Sequence, residues 1–249
     1  MLIDIHTHLG LGLEERDLIG LIKERGVDQI WTSALEGGYY PTADDVRRSN
    51  QHVHNLMSRR PNHVVGFCYV NPAHGKQALA ELRHNVEENG FRGVKLWVAT
   101  TCHDPRVDPI VAYAVDHQLP ILVHAWAKVG GLSPSGGNLP FESTPTQLGI
   151  LADRFPAAKL IMAHLGGNWQ YGVQVARDHP NIWVDTSGSI AEMDSIQTLI
   201  RNVGSERVCF GTDNSDLDYC LGKIQGAGLT DAQREAVLWR NAKTLLATS

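Results

Sequence analysis

Leu2-Ile3-Asp4-Ile5-His6-Thr7-His8 opens the chain as a short apolar run that closes on His-x-His. Read as a strand, it sends alternate side chains to opposite faces, so His6 and His8 point the same way from its C-terminal end. Two imidazoles on one rigid edge are a ready half of a metal site. Taken alone, such a pair is more often two ordinary surface histidines. The reading changes because further polar groups stand at the ends of the apolar runs that follow.

Those runs lie at 27–35, 63–70, 91–98, 119–124, 158–164, 181–186 and 207–212 and read as seven more strands. Between them the spacing predicts helices over 14–26, 42–60, 75–89, 105–117, 144–155, 168–178 and 190–203. Two further helical stretches close the chain, separated by Gly226-Ala227-Gly228. The strands are apolar enough to be buried on both faces. Eight of them alternating with helices are the signature of a closed (β/α)8 barrel, a single α/β domain over 1–249, rather than an open sheet. The one long irregular segment is 125–143, rich in Gly, Ser and Pro, and a loop of that length in a compact domain usually serves function or is disordered.

Composition narrows the function classes. A formal charge of −5 argues against non-specific nucleic-acid binding. The four cysteines, Cys68, Cys102, Cys209 and Cys220, are widely spaced, which suits reduced thiols in a cytoplasmic protein. No signal peptide or membrane span is visible, so a cytoplasmic, membrane-free protein is expected. Oligomeric state has no signature in the sequence, and a homo-oligomer is only the default guess.

In a barrel of this kind the active site lies at the C-terminal ends of the strands. Strand one supplies His6 and His8, strand four Lys95, strand five His124, strand six His164 and strand eight Asp213. Each has a bland reading: a hydrogen-bonded structural histidine, a lysine paired with a carboxylate, an aspartate capping the next helix. Together they converge on one mouth, and buried charge is costly unless paired or metal-bound. Four imidazoles around one carboxylate therefore read as a site for a divalent metal. Zinc suits the mixed donors, and manganese, iron and nickel fit almost as well. Trp97 falls on the same face as Lys95, nearer the mouth, and Trp126 begins the long loop, so both are expected to wall a substrate pocket, Trp126 with the loop as a lid. Asp185 and Ser187 end strand seven and could bind substrate or steady a ligand.

The pieces Asp4-Ile5-His6-Thr7-His8, 90–96 around Lys95, 119–124 ending in His124, Ala163-His164-Leu165-Gly166-Gly167, Phe210-Gly211-Thr212-Asp213 and Arg240-Asn241-Ala242 together resemble the amidohydrolase superfamily, most closely its amidohydrolase-related (type 2) family. The resemblance runs the whole chain and implies a distorted TIM (β/α)8 barrel of the metal-dependent hydrolase type. It implies His6, His8, His124 and Asp213 as metal ligands, with Asp213 also carrying the proton. His164 is a second-metal ligand or a catalytic assistant. Lys95 is either a carbamylated bridge between two metals or a free cation that binds a substrate carboxylate. The expected activity is hydrolysis of a small lactone, ester or amide by metal-bound hydroxide, with one or two metals per chain. The alternatives are non-oxidative decarboxylation of a small aromatic or unsaturated acid on the same scaffold, and, from another class, a non-catalytic metal-stabilised binding protein.

Overall fold

The computed structural model describes residues 1–10, 13–128, 138–188, 192 and 194–247. Eight strands run parallel in sequence order: β1 Ile3–Leu9, β2 Gln29–Ala34, β3 Val64–Tyr69, β4 Gly93–Leu96, β5 Pro120–Val123, β6 Lys159–Met162, β7 Ile182–Asp185 and β8 Val208–Cys209. The helices α1 Glu15–Lys23, α2 Ala43–Arg59, α3 Lys76–Glu87, α4 Asp108–Asp116, α5 Pro145–Arg154, α6 Trp169–Asp178, α7 Ser195–Val203 and α8 Leu217–Gly226 each follow their strand. A last helical stretch, α9 Asp231–Glu235 and α10 Asn241–Leu246 joined through a π-helical turn at Ala236–Arg240, closes the floor. Among the described residues, no helix is long and apolar enough to cross a membrane.

Alternation sorts the strand side chains into two cores. Cys68, Val94, Ile121, Leu160 and Val184 face outward onto Val53, Leu82, Val111, Leu151 and Leu199 of the helices. Ile5, Trp31, Phe67, Leu122 and Ile161 face inward and fill the barrel, with Trp31 stacked on Phe67 at 5.1 Å. The inward layer is apolar at the bottom and gives way to titratable groups at the top. Helix starts follow the expected chemistry: Thr42 with Asp45 and Thr144 with Gln147 form reciprocal caps, and Pro145 sits in the first turn.

Several elements are shorter than expected, and for β8 and β6 the local reason is visible. The eighth strand, expected over 207–212, shrinks to Val208–Cys209. The Phe210 N–H is taken by the Val237 carbonyl at 2.9 Å, and the Thr212 N–H by the Asp4 carboxylate at 3.0 Å. The sixth strand stops at Met162, and His164 lies in a tight turn with left-handed backbone (φ 58°, ψ 32°) instead of at a strand end. Helix α7 begins at Ser195, later than the expected 190. Residues 189–191 and 193 lie outside the described residues, as does the middle of the expected lid loop, 129–137.

The ring closes between its first and last strands, because two backbone bonds, Ile5 N–H to Phe210 O at 3.0 Å and Asp213 N–H to His6 O at 2.7 Å, cross the gap. The Asn214 side chain adds two more, accepting from the His8 N–H at 3.1 Å and donating to the His8 carbonyl at 2.8 Å. An amide thus stands in for a missing stretch of strand.

Candidate metal centre and active site

The β1–β8 seam carries the tightest cluster. A β-bulge between Asp4 and Thr7 sets three residues of β1 against two of β2, which re-aims the strand as it reaches the mouth. His6 Nε2 and His8 Nε2 then stand 2.9 Å apart, and Asp213 Oδ1 lies 3.4 and 3.1 Å from them. Donors each about 2.1 Å from one small divalent ion are separated by roughly 3.0–3.4 Å, so these three atoms have the spacing of one coordination shell.

Their orientation agrees. His6 Nδ1 meets Asp185 Oδ2 at 2.6 Å, which fixes its proton there and leaves Nε2 with a lone pair. His8 Nδ1 meets Ser33 Oγ at 2.9 Å. Burial, then the Lys95 charge, pushes His8 down to about 3, so it is neutral and able to ligate. Two electron-rich nitrogens and a carboxylate oxygen converging in a buried place fit a divalent cation. Burial pushes the Asp213 carboxyl up, but the histidines around it, His164 foremost, hold it well below the usual carboxylate range.

Asp185 organises the floor of the mouth. Its Oδ1 accepts from the His164 N–H at 2.8 Å, the Ser187 N–H at 3.0 Å and the Ser187 hydroxyl at 2.7 Å. Ser187 Oγ in turn faces His164 Nδ1 at 2.9 Å. A second group of donors, His6, His164 and Asp185, is therefore already knit by hydrogen bonds. Two glycines leave room for it: a side chain at Gly211 would meet His6 Cβ at 3.0 Å, and one at Gly188 would meet His164 Nδ1 at 3.2 Å. Both His164 and Asp213 adopt left-handed backbone, each followed by a second such residue, Leu165 and Asn214. Strain of about 1–3 kcal/mol per residue of this kind persists where the surroundings over-determine it.

On the far side, Lys95 is fully buried and its Nζ lies 2.9 Å from His6 Nε2. Burial pushes this amine down to about 8, against the pull of Asp213 and Asp185. Among the described residues, no carboxylate comes within 4.0 Å of it. His164 is at the centre, with Nδ1 3.7 Å from Asp213 Oδ2, and burial holds it well below its usual value. His124 stands one step further out: Nδ1 faces His164 Nε2 at 3.2 Å, and Nε2 meets Glu142 Oε1 at 2.9 Å. Trp126 stacks on His124 (6.5 Å, 10°) and meets His164 edge-on at 5.2 Å, so it lines the mouth. Trp97 packs instead with Tyr39 and Tyr69, at 5.5 and 6.4 Å.

The expected residues thus fall into an inner trio (His6, His8, Asp213) with His164 and Lys95 against it, while His124 is adjacent and Trp97 belongs to the rim. Sequence reasoning missed Glu142, Ser33, Asn214 and Asp4. Asp4 is fully buried and accepts from the His6 N–H and from both the N–H and hydroxyl of Thr212. Burial raises its carboxyl to about 6. An aspartate inside an apolar strand run was a visible signal, and Glu142 had none.

Comparison with known proteins places these features in a lineage. A family model described as amidohydrolase matches residues 3–247. A gamma-resorcylate decarboxylase of Polaromonas sp. (strain JS666 / ATCC BAA-500) is 22% identical over 280 residues, covering 91% of this chain and 85% of its own length. Decarboxylase orsB of Emericella nidulans is 25% identical over 259 residues, covering 83% and 77%. The solved dihydroxybenzoic acid decarboxylase of Polaromonas sp. JS666, with bound manganese and the inhibitor 2-nitroresorcinol, superposes with a TM-score of 0.78 at 16% identity, over 98% of this chain and 96% of that one. These relatives overturn the expectation of hydrolysis: both curated matches are named for removing a carboxyl group, which is the stated alternative. Nor is zinc singled out, since the solved relative holds manganese.

Proposed function

The chain belongs to the amidohydrolase family, and from that premise we propose that it is a metal-dependent decarboxylase releasing CO2 from a small hydroxylated aromatic acid. The observation that carries the reading is Lys95: a buried ammonium beside the donor trio, with no carboxylate within 4.0 Å among the described residues. Asp213 and Asp185 act on this charge only from a distance, and the carboxylate of an incoming acid supplies a partner in direct contact. The names of the two curated relatives support the same substrate class.

A divalent ion, manganese by analogy with the solved relative, held by His6, His8 and Asp213 and with His124 as a further candidate ligand, would supply positive charge that stabilises the substrate's carboxylate and neighbouring phenolate oxygens. Lys95 binds the same carboxylate and holds it in register. Trp126, beside His124 and His164, offers a flat apolar face to the ring. Asp213 divides its labour: Oδ1 faces His6 and His8, and Oδ2 faces His164. Oδ2 takes the phenolic proton of the substrate and returns it to the ring carbon that bears the carboxylate. The C–C bond then breaks, its electron pair restores the aromatic ring, CO2 leaves, and the phenolate product takes a proton from solvent. His164, pinned by Asp185 and Ser187, orients Oδ2 for both transfers.

The test is a panel of ortho-hydroxybenzoates given to manganese-loaded protein, followed by CO2 release and by product spectra. In deuterium oxide the product should carry one deuterium on the former carboxyl-bearing carbon. A panel in which no acid releases CO2 overturns the reading.

A further inference from the structure

Glu142 lies near the end of the loop that follows β5, yet only 4% of its side chain is exposed. Both of its oxygens are engaged. Oε1 meets His124 Nε2 at 2.9 Å, and Oε2 accepts from the Leu139 N–H at 2.8 Å, with Lys128 Nζ 4.0 Å away. Oε2 takes a backbone N–H, and a carboxylate offers acceptors only, so Oε1 accepts as well. The proton between Glu142 and His124 therefore sits on Nε2, and Nδ1 is left with its lone pair.

That nitrogen is aimed inward. His124 Nδ1 faces His164 Nε2 at 3.2 Å. The Ser187 hydroxyl gives its hydrogen to Asp185, so Ser187 Oγ accepts from His164 Nδ1 and leaves His164 Nε2 with a lone pair as well. Two lone pairs then face each other across the mouth, an arrangement that suits a cationic guest and is poor without one. We propose that Glu142 is a positioning residue: by holding the His124 proton on Nε2 it presents Nδ1 as an electron-pair donor to the metal centre. The Leu139 N–H holds the other oxygen of this carboxylate, and the Lys128 charge lies 4.0 Å from it. Asn138 ties the loop ends as well, accepting from the Lys128 N–H at 3.1 Å and donating to the Trp126 carbonyl. The inference rests on the metal reading of the site and not on which reaction it catalyses.

The experiment takes the full chain labelled with ¹⁵N-histidine, loaded with zinc as a diamagnetic probe for NMR and titrated separately with manganese. In the wild type the His124 ring should show a protonated Nε2 and an unprotonated Nδ1. Glu142→Ala should mix the tautomers and weaken manganese binding by about 10–100-fold. Glu142→Gln keeps the volume and one acceptor oxygen, so it should fold normally and rescue part of that loss. A Glu142→Ala protein that melts earlier but keeps both the tautomer and the wild-type manganese affinity overturns the proposal and leaves Glu142 a loop staple. If wild-type protein takes up no metal, the metal reading itself has failed. The tautomer still decides the role of Glu142: loss of the Nε2 proton in the Ala variant, with its retention in the Gln variant, supports it, and an unchanged ring in the Ala variant overturns it.

Discussion

The two sides of the mouth hold their imidazoles by different means. On the β1–β8 seam, His6 and His8 belong to a strand whose backbone is bonded on one side to β2 and on the other to Phe210, Asp213 and Asn214. Their rings are steadied by Asp185, at the end of β7, and by Ser33, near the end of β2. On the β5 side, the His124 backbone is tied to Leu96, and its ring depends on one carboxylate brought in by a loop. The first arrangement is fixed by the topology of the barrel. The second is fixed by a single charge-assisted hydrogen bond and is open to change through loop sequence. The seam is thus expected to carry the chemistry common to the fold, and the β5 side to carry what distinguishes one relative from another.

That contrast can be broken or sharpened in order of effect. Stripping the protein with a chelator should abolish turnover, and manganese should restore it; unchanged activity after verified metal removal would sink the seam as a metal centre. Asp213→Asn keeps the shape of the seam but removes its proton carrier, and should cost about 10²–10⁴-fold in kcat. Asp185→Ala releases His6 Nδ1 and should weaken metal binding by about 10–100-fold, measured by competition with a fluorescent chelator. If the two sides are equally rigid, Asp185→Ala and Glu142→Ala will cost the same; the seam predicts that Asp185→Ala costs more. Lys95→Met should raise KM for the acid by about 10–150-fold with a smaller change in kcat, as loss of one charged hydrogen bond worth about 1.5–3 kcal/mol implies.

The smallest effect is on stability. His8 is pushed down to about 3 by burial, and His124 and His164 are lowered for the same cause. Below about pH 6.5 the unfolded chain binds protons that these folded rings refuse. Their contribution to stability is therefore full above that pH and is lost as pH falls toward the folded values. Asp4, raised to about 6, works in the opposite sense: the folded chain gains its proton first, which offsets one of the three rings. Metal-free protein should melt lower at pH 5 than at pH 6.5, by about 2–4 °C for each kcal/mol lost in a chain of this size, read by thermal shift in chelator. A flat profile would show that these rings are not buried neutral.

How much of this was legible in the sequence follows the same division. The barrel, its strand order and the clustering of His6, His8 and Asp213 at the seam were visible because apolar runs ended in His or Asp at regular spacing, and burial on both faces leaves that trace. The short β8 was not, because what shortens it is a carbonyl of Val237 and a carboxylate of Asp4, both distant in sequence. His164 was found, but its left-handed turn was not, since a non-glycine residue carries no mark of positive φ. Asp185 and Ser187 were named with two roles open, and hydrogen-bond geometry favours the steadying one. Glu142 was invisible because a glutamate in a loop normally faces water, and only the fold shows that this one does not. The chemistry expected of the site was misjudged for a further reason: the same ligands serve hydrolysis and decarboxylation, and the difference lies in what the pocket presents to the substrate.

The bond from the Thr212 hydroxyl to the Asp4 carboxylate spans 208 positions of sequence, and those from Asn214 to His8 span 206. The donor trio sits at the junction these bonds close. Asp213 is made some two hundred residues after His6 and His8, so during synthesis the cluster is incomplete until the last strand has left the ribosome. A nascent chain up to that point carries two of the three donors and no finished place to hold a cation.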